Sequence, residues 1–318
     1  MRFQKSKFLP AIILIIISAW RISSGEWDIT FSEVIRFLLT DSDCPASVVI
    51  RLVRLPRLLC SIFAGGILSV SGVILQGLLS NPLAEPYTLG IASGSAFGAA
   101  IGILGGSFAV MPCAFCGAVG ALLLTGAIAG NGGRERLILA GVISNAVLSA
   151  GVTFMKSIAG EKIGAVVLWL MGSFAGASWR DVWAVICGAV IVLTPAYVMG
   201  NALDVMSLGG ERASVLGVNE KFVRVVLLVC SSVGVAFCVS SFGVIGFVGL
   251  IVPHISRGIV GANHRRVTVN AFMIGAVIMT LADGLAQRLG EIPAGVVTAL
   301  MGGPFFCYVL AKDTNSSA

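Results

Sequence analysis

The chain has 318 residues, 57% of them hydrophobic and 11% charged, with a mean hydropathy of +0.99. Soluble domains carry about 25% charged residues, so a soluble globular fold is excluded and an integral membrane protein is implied. The formal net charge of +6 is then charge that sets topology and meets lipid headgroups, and it does not point to nucleic acid as a partner.

The apolar segments are long and unbroken, whereas a barrel strand would alternate polar and apolar positions, so the fold class is an all-α polytopic bundle. Apolar stretches of roughly 17–25 residues each give about ten spans, near 8–22, 58–79, 87–106, 108–129, 137–155, 182–200, 223–242, 244–260, 267–287 and 292–311. The first run follows Arg2, Lys5 and Lys7 as a signal peptide would. No small-residue cleavage site follows Trp20, so it is expected to stay as a span. Residues 1–318 read as a single transmembrane domain. An even number of spans puts both termini on one side, and the basic N-terminus makes that side cytoplasmic.

Three arginines, Arg51, Arg54 and Arg57, break this charge bias, because they fall on the outer side just before the second span. Arg288 falls on the same side, near Glu291. Between the second and third spans lie Gln76, Asn81, Pro82, Leu83, Glu85 and Pro86. Two prolines four apart force a turn, which is either a plain polar turn or a gate on a pathway. Arg134 and Glu135 open the fifth span, and Asn145 inside it is either interhelical glue or a pathway residue.

The polar run from Asp204 to Arg224 must lie outside the hydrocarbon. Within it Gly209 and Gly210 give a break, Glu211 suits the start of a short helix, and Ala213, Val215 and Leu216 form an apolar flank. Gly217 is suited to end that helix in a left-handed cap. Such a helix, about 209–219, is either a handle for a soluble partner or a loop lying on the membrane. Further on, Pro253 is expected to break or end the eighth span and to leave His254 and Arg257 near the inner interface. His254 suits a hydrogen-bonded structural role better than a metal site, because no carboxylates adjoin it. Cys113 and Cys116 form a C-x-x-C inside a span without a second pair, which does not amount to a zinc site. Asp283 is the carboxylate well inside a late span. It is either a proton carrier or an outer-end residue bonded to a neighbouring helix, and the nearness of Arg288 and Glu291 favours the second.

Several motifs occur in one order: R-L-P-R at 54–57, Gln76 followed by N-P-L-A-E-P at 81–86, L-A-G at 139–141, and W-L-M-G-S at 169–173. They continue with G-x-x-A-x-x-L-G at 210–217, G-F-V-G-L-I-V-P-H-I-S-R at 246–257, A-D at 282–283 and E-I-P-A-G-V-V-T-A at 291–299. In this the chain resembles the permease subunits of ATP-driven importers for ferric siderophores, haem and cobalamin. The resemblance implies a multi-pass protein of the cytoplasmic (inner) membrane that works as a pair of permeases, expected to be a homodimer. Its partners would be two cytoplasmic ATPase subunits and an extracytoplasmic binding protein.

It further implies that Gly210, Glu211, Ala213, Leu216 and Gly217 dock on the ATPase. Arg54, Arg57 and, less securely, Arg288 would meet acidic residues of the binding protein. Gln76, Asn81, Pro82, Leu83, Pro86, Arg134, Glu135 and Asn145 would line or close the path, which runs along the fifth span. Arg288 departs from the pattern, since Gln287 stands where relatives carry arginine. No G-x4-G-K-[ST] run exists, so the subunit is expected to be no enzyme and to bind no cofactor, with ATP and magnesium held by the partner ATPase. An iron chelate is the expected cargo, with haem or cobalamin as the alternative. A proton-coupled secondary transporter using Asp283 or Glu85 is the reading from another class.

Overall fold

A computed structural model describes residues 9–23, 31–39, 44–106, 109–130, 132–207 and 215–316. The described residues are helical with no strand. In chain order the helices are α1 (Leu9–Ser23), α2 (Phe31–Leu39), α3 (Pro45–Val49), α4 (Leu55–Leu79), α5 (Ile91–Leu104), α6 (Val110–Ala129) and α7 (Arg134–Ile158). They continue with α8 (Ile163–Leu170), α9 (Trp179–Val198), α10 (Gly200–Met206), α11 (Glu220–Phe242), α12 (Val248–Val260), α13 (His264–Arg288) and α14 (Ala294–Ser316). Six helical stretches among the described residues are long and apolar enough to cross a membrane, and four further apolar helices are shorter.

α4 is the axis of the bundle and is packed by α13, α9, α12 and α11. Its small residues are the reason. A Cβ on Gly65 would stand 2.2 Å from the Gly275 carbonyl of α13, and one on Gly72 would stand 1.8 Å from the Gly249 carbonyl of α12. Backbones can meet this closely only where both surfaces lack side chains, which is how helices associate without a hydrophobic drive from water. α4 and α13 run antiparallel: Ser61 Oγ lies 3.2 Å from Thr280 Oγ1 at one end, and His264 abuts Gly77 at the other.

Two expectations are corrected here. The second span was expected to begin near 58, but the helical stretch starts at Pro45 and runs through the R-L-P-R motif. Proline at the first helical position needs no amide donor. The second proline, Pro56, is accommodated because residues Ile50–Arg54 form a wider π turn, in which the Leu55 N–H reaches back to the Ile50 carbonyl.

Pro253 likewise does not end its helix, since α12 runs from Val248 to Val260 around it. The chain breaks earlier instead, at Gly243 (φ +76°) and Phe247 (φ +69°). Pro253 offers no N–H to the carbonyl four residues back, that of Gly249, and this carbonyl faces the bare Cα of Gly72.

The broken segment 243–247 is held by its surroundings. Tyr87 Oη donates to the Ile245 carbonyl at 2.7 Å and accepts the Ile245 N–H at 3.1 Å. The Ser173 N–H bonds the Phe242 carbonyl at 2.8 Å. Non-helical backbone inside an apolar bundle survives only where protein groups satisfy it in this way.

Candidate functional site

At the end of the bundle where α4 begins, a buried ion cluster closes α1, α4 and α13 on one another. Asp283 accepts from Arg57 Nη2 at 2.9 Å and from Arg21 Nη2 at 2.5 Å. Arg57 Nη1 reaches Glu291 at 2.9 Å, and the Arg57 side chain is 7% exposed against 47% for Glu291. Arg21 also bonds Gln287, and Arg288 stacks on the Trp20 ring at 4.7 Å. Two guanidinium groups and two carboxylates balance, which a low-dielectric site requires. Arg54 Nη1 donates to the Ile22 carbonyl at 2.7 Å and to that of Ser23 at 3.2 Å, capping the last turn of α1.

Arg57 was expected on an outer surface, ready for a partner. The structure places it inside, because Asp283 and Glu291, more than two hundred residues away in sequence, supply its counter-charges. Arg54 is half-buried and Arg288 is exposed. Asp283 matches the interhelical alternative and not an open proton carrier, since both oxygens are taken by arginines. Arg21, which completes the cluster, was not singled out in the sequence. The signal for it was a lone cation at the end of the first apolar run.

The opposite end holds the turn between α4 and α5. Ser80 ends α4 in a left-handed conformation (φ +48°), and Asn81 Oδ1 accepts the Leu83 N–H at 2.9 Å. Pro82 and Leu83 are exposed, while Pro86 is buried. Gln76 is buried and bridges helices, donating to the Leu250 carbonyl at 3.3 Å and accepting from Arg257 Nη1 at 2.5 Å.

Arg134, at the start of α7, hydrogen-bonds Ser80 of that turn, donates to the Met206 carbonyl at 3.4 Å and lies 3.9 Å from Glu220. It therefore touches the turn and both stems of the segment between α10 and α11. Glu135 is exposed. Of the expected coupling residues, Gly210, Glu211 and Ala213 lie outside the described residues. Leu216 is exposed, and Gly217 has φ +78°.

The α10 stem is pinned as well. Asp204 Oδ1 accepts from the His264 backbone N–H at 2.9 Å and lies 2.6 Å from its Nδ1, while Oδ2 accepts from Asn263 at 2.8 Å. The structural histidine is thus His264. His254 is exposed on α12.

α7 presents a broad uncovered face. Leu139, Val142, Val147, Phe154 and Ile158 are exposed along it. Beside them a cavity of about 340 Å³ is lined by Ser93, Asn145, Ser149, Thr153 and Lys156 among others.

The family model described as the FecCD transport family matches residues 11–312. The chain belongs to the FecCD transport family. It is 33% identical over 309 residues to a "Probable iron chelatin transport system permease protein" of Helicobacter pylori strain J99, covering 95% of this chain and 94% of that one. It is 38% identical over 274 residues to a cobalamin import system permease protein of Halobacterium salinarum, covering 83% and 74%. A solved structure of an inward-facing metal-chelate type ABC transporter superposes with a TM-score of 0.87 at 32% identity, covering 98% of this chain and 99% of that one.

Proposed function

We propose that this FecCD protein is the permease subunit of an ATP-driven importer that moves an iron chelate across the inner membrane. It contributes a single domain of about ten spans, counting the shorter apolar helices with the long ones. Both termini are cytoplasmic. Two copies form the path, two ATPase subunits holding ATP and magnesium bind below, and an extracytoplasmic binding protein delivers the cargo above.

The observation that carries the reading is the family match over nearly the whole chain, with relatives named as permeases for iron chelate and for cobalamin. The segment from Gly210 to Gly217 docks on the ATPase, and the exposed turn at Pro82 and Leu83 closes the path on that side. Arg134 links the two. On the outer side Arg54 and Arg288 meet the binding protein, while Arg57 holds Asp283 and Glu291 in the ion cluster beneath them. Haem and cobalamin are the alternative cargoes.

Proteoliposomes holding the permease with its ATPase and binding protein test this directly. Labelled ferric chelate is expected to accumulate with ATP while the proton gradient is collapsed. Uptake driven by a pH gradient without the ATPase would overturn the reading in favour of a secondary transporter.

A further inference from the structure

α12 has 13 residues, so it is about 20 Å long and falls short of a hydrocarbon core of about 30 Å. Positive φ at Phe247 (+69°) and Gly261 (+80°) ends the helix on both sides, so it joins its neighbours through non-helical corners. Side chains from elsewhere in the chain hold each corner.

At the first corner the loop between α4 and α5 is fastened to the start of α12. The Glu85 carboxyl accepts the Phe247 N–H, and Tyr87 makes its two bonds to the Ile245 backbone. Pro86 lies between them, and a Cβ on Gly249 would stand 3.0 Å from its Cδ. These three consecutive residues come just after the exposed turn at Pro82 and Leu83.

At the second corner α12 is fastened to the start of α13 and, through it, to α10. Ser256 Oγ lies 3.2 Å from the Val267 carbonyl and 3.0 Å from Asn270 Oδ1. Asn263 uses both ends of its amide: Oδ1 accepts the Arg266 N–H at 3.2 Å, and Nδ2 donates to Asp204 Oδ2 at 2.8 Å. Asp204 belongs to α10, which leads into the segment proposed to dock on the ATPase. Between the corners α12 rests on the buried axis α4, where Gly72 meets Gly249 and Gln76 bonds the Leu250 carbonyl and Arg257.

We infer that α12 is the rigid link that carries motion of the ATPase-docking segment to the turn at Pro82 and Leu83, and that Asn263, Glu85 and Tyr87 are the positioning residues that hold its two ends. The inference rests on the proposed importer function and specifies how its ATPase side and its closing turn are joined. A short helix between two non-helical corners moves as one body over the element it packs on. Its attachments act in series, so once one end is free, releasing the other changes nothing more. Arg134, which touches Ser80, the Met206 carbonyl and Glu220, is a parallel connection whose loss adds to theirs.

The test uses the permease–ATPase complex in nanodiscs with Leu83→Cys as reporter. Its rate of modification by a water-soluble maleimide is compared between the nucleotide-free state and the state trapped with ATP and vanadate, and peptide mass spectrometry separates it from the eight native cysteines. The two rates are expected to differ. Tyr87→Phe keeps the ring and removes both bonds to Ile245, while Asn263→Asp keeps the acceptor for the Arg266 N–H and sets two carboxylates against each other. Each should cut the ratio of the rates about threefold or more. The two together should cut it no further than the stronger one alone, whereas Arg134→Gln added to either should cut it again. Asp204→Asn combined with Asn263→Asp reverses donor and acceptor in the lost bond and should restore the ratio. If Tyr87→Phe does not assemble, Asn263→Asp and its rescue decide the matter alone.

A purely structural role would lower the amount of complex and leave the ratio unchanged in what assembles. That result, a ratio not rescued by Asp204→Asn, losses that add between the two ends, or equal rates in the two states without further substitution would each overturn the inference. Those outcomes leave the importer function standing, since uptake in proteoliposomes is measured separately. Absence of ATP-driven uptake by the unmodified complex would instead sink the importer function itself.

Discussion

α4 and α7 are the same length, 25 residues each, and both are strongly apolar, yet their surroundings are opposite. In the most apolar stretch of each, 83% of the α4 residues are buried by the rest of the chain and only 22% of those of α7. The difference lies in which residues interrupt the apolar run. α4 is interrupted by Gly65, Gly66, Ser69 and Gly72, which admit neighbouring backbones. α7 is interrupted by Asn145, Ser149, Thr153 and Lys156, which need water, cargo or a partner. One helix is built to hold the subunit together, and the other is built to be used.

If that division holds, the largest loss of stability should come from the ion cluster that fixes the start of α4. Asp283→Ala leaves two buried guanidinium groups with a single, half-exposed carboxylate between them. Removing one partner of a buried pair costs about 3–5 kcal/mol, so the variant should unfold at a clearly lower temperature in detergent and accumulate poorly. Asp283→Asn separates this role from a proton carrier. If it kept full stability and lost only gradient-dependent transport, the two arginines would not be what Asp283 is for.

A second pair of variants compares the two helices directly. Gly65→Val drives a side chain into the Gly275 backbone of α13 and should cost about 1–3 kcal/mol or more. Ala150→Leu adds a larger side chain to an exposed position of α7 and should change the stability of the isolated subunit by less than about 0.5 kcal/mol. Ala150→Leu should nevertheless reduce uptake, because the face it alters is the one left to a second copy or to cargo. Equal thermal stability in the two variants would show that α4 and α7 do not divide the labour in this way.

Much of this was legible in the sequence where the deciding information was local. The apolar runs, the close-packing faces of α4 and the left-handed backbone of Gly217 follow from neighbours in the chain. What misled was long-range. Arg57 beside a span looks like an outward-facing cation until Asp283 and Glu291 are placed next to it. Pro253 looks like a helix end until the π turn before Pro56 and the Gly72 contact under Gly249 show that this fold accommodates prolines by other means. The role assigned to His254 belongs to His264, because its partner Asp204 sits 60 residues earlier in the chain. The polar face of α7 was visible only through Asn145. The other three members gain meaning once helix periodicity and the cavity place them on one side.

The smallest expected effect lies in the turn that joins the buried helix to the rest. Glu85 is held in the loop between α4 and α5, where burial raises its carboxyl above the usual carboxylate range, partly opposed by the Phe247 backbone N–H that hydrogen-bonds it. A carboxyl whose folded pKa lies above its unfolded value contributes stability that is fully present below the unfolded pKa and is lost as pH rises through the folded pKa. Glu85→Gln keeps an acceptor for Phe247 and removes the charge. Its unfolding temperature should therefore match that of the unmodified protein near about pH 5 and exceed it slightly near about pH 8. A gap of the opposite sign, widest at high pH and favouring Glu85, would mean that the ionised carboxylate is itself wanted in this loop. The proton-carrier reading would then have to be reopened at Glu85 rather than at Asp283.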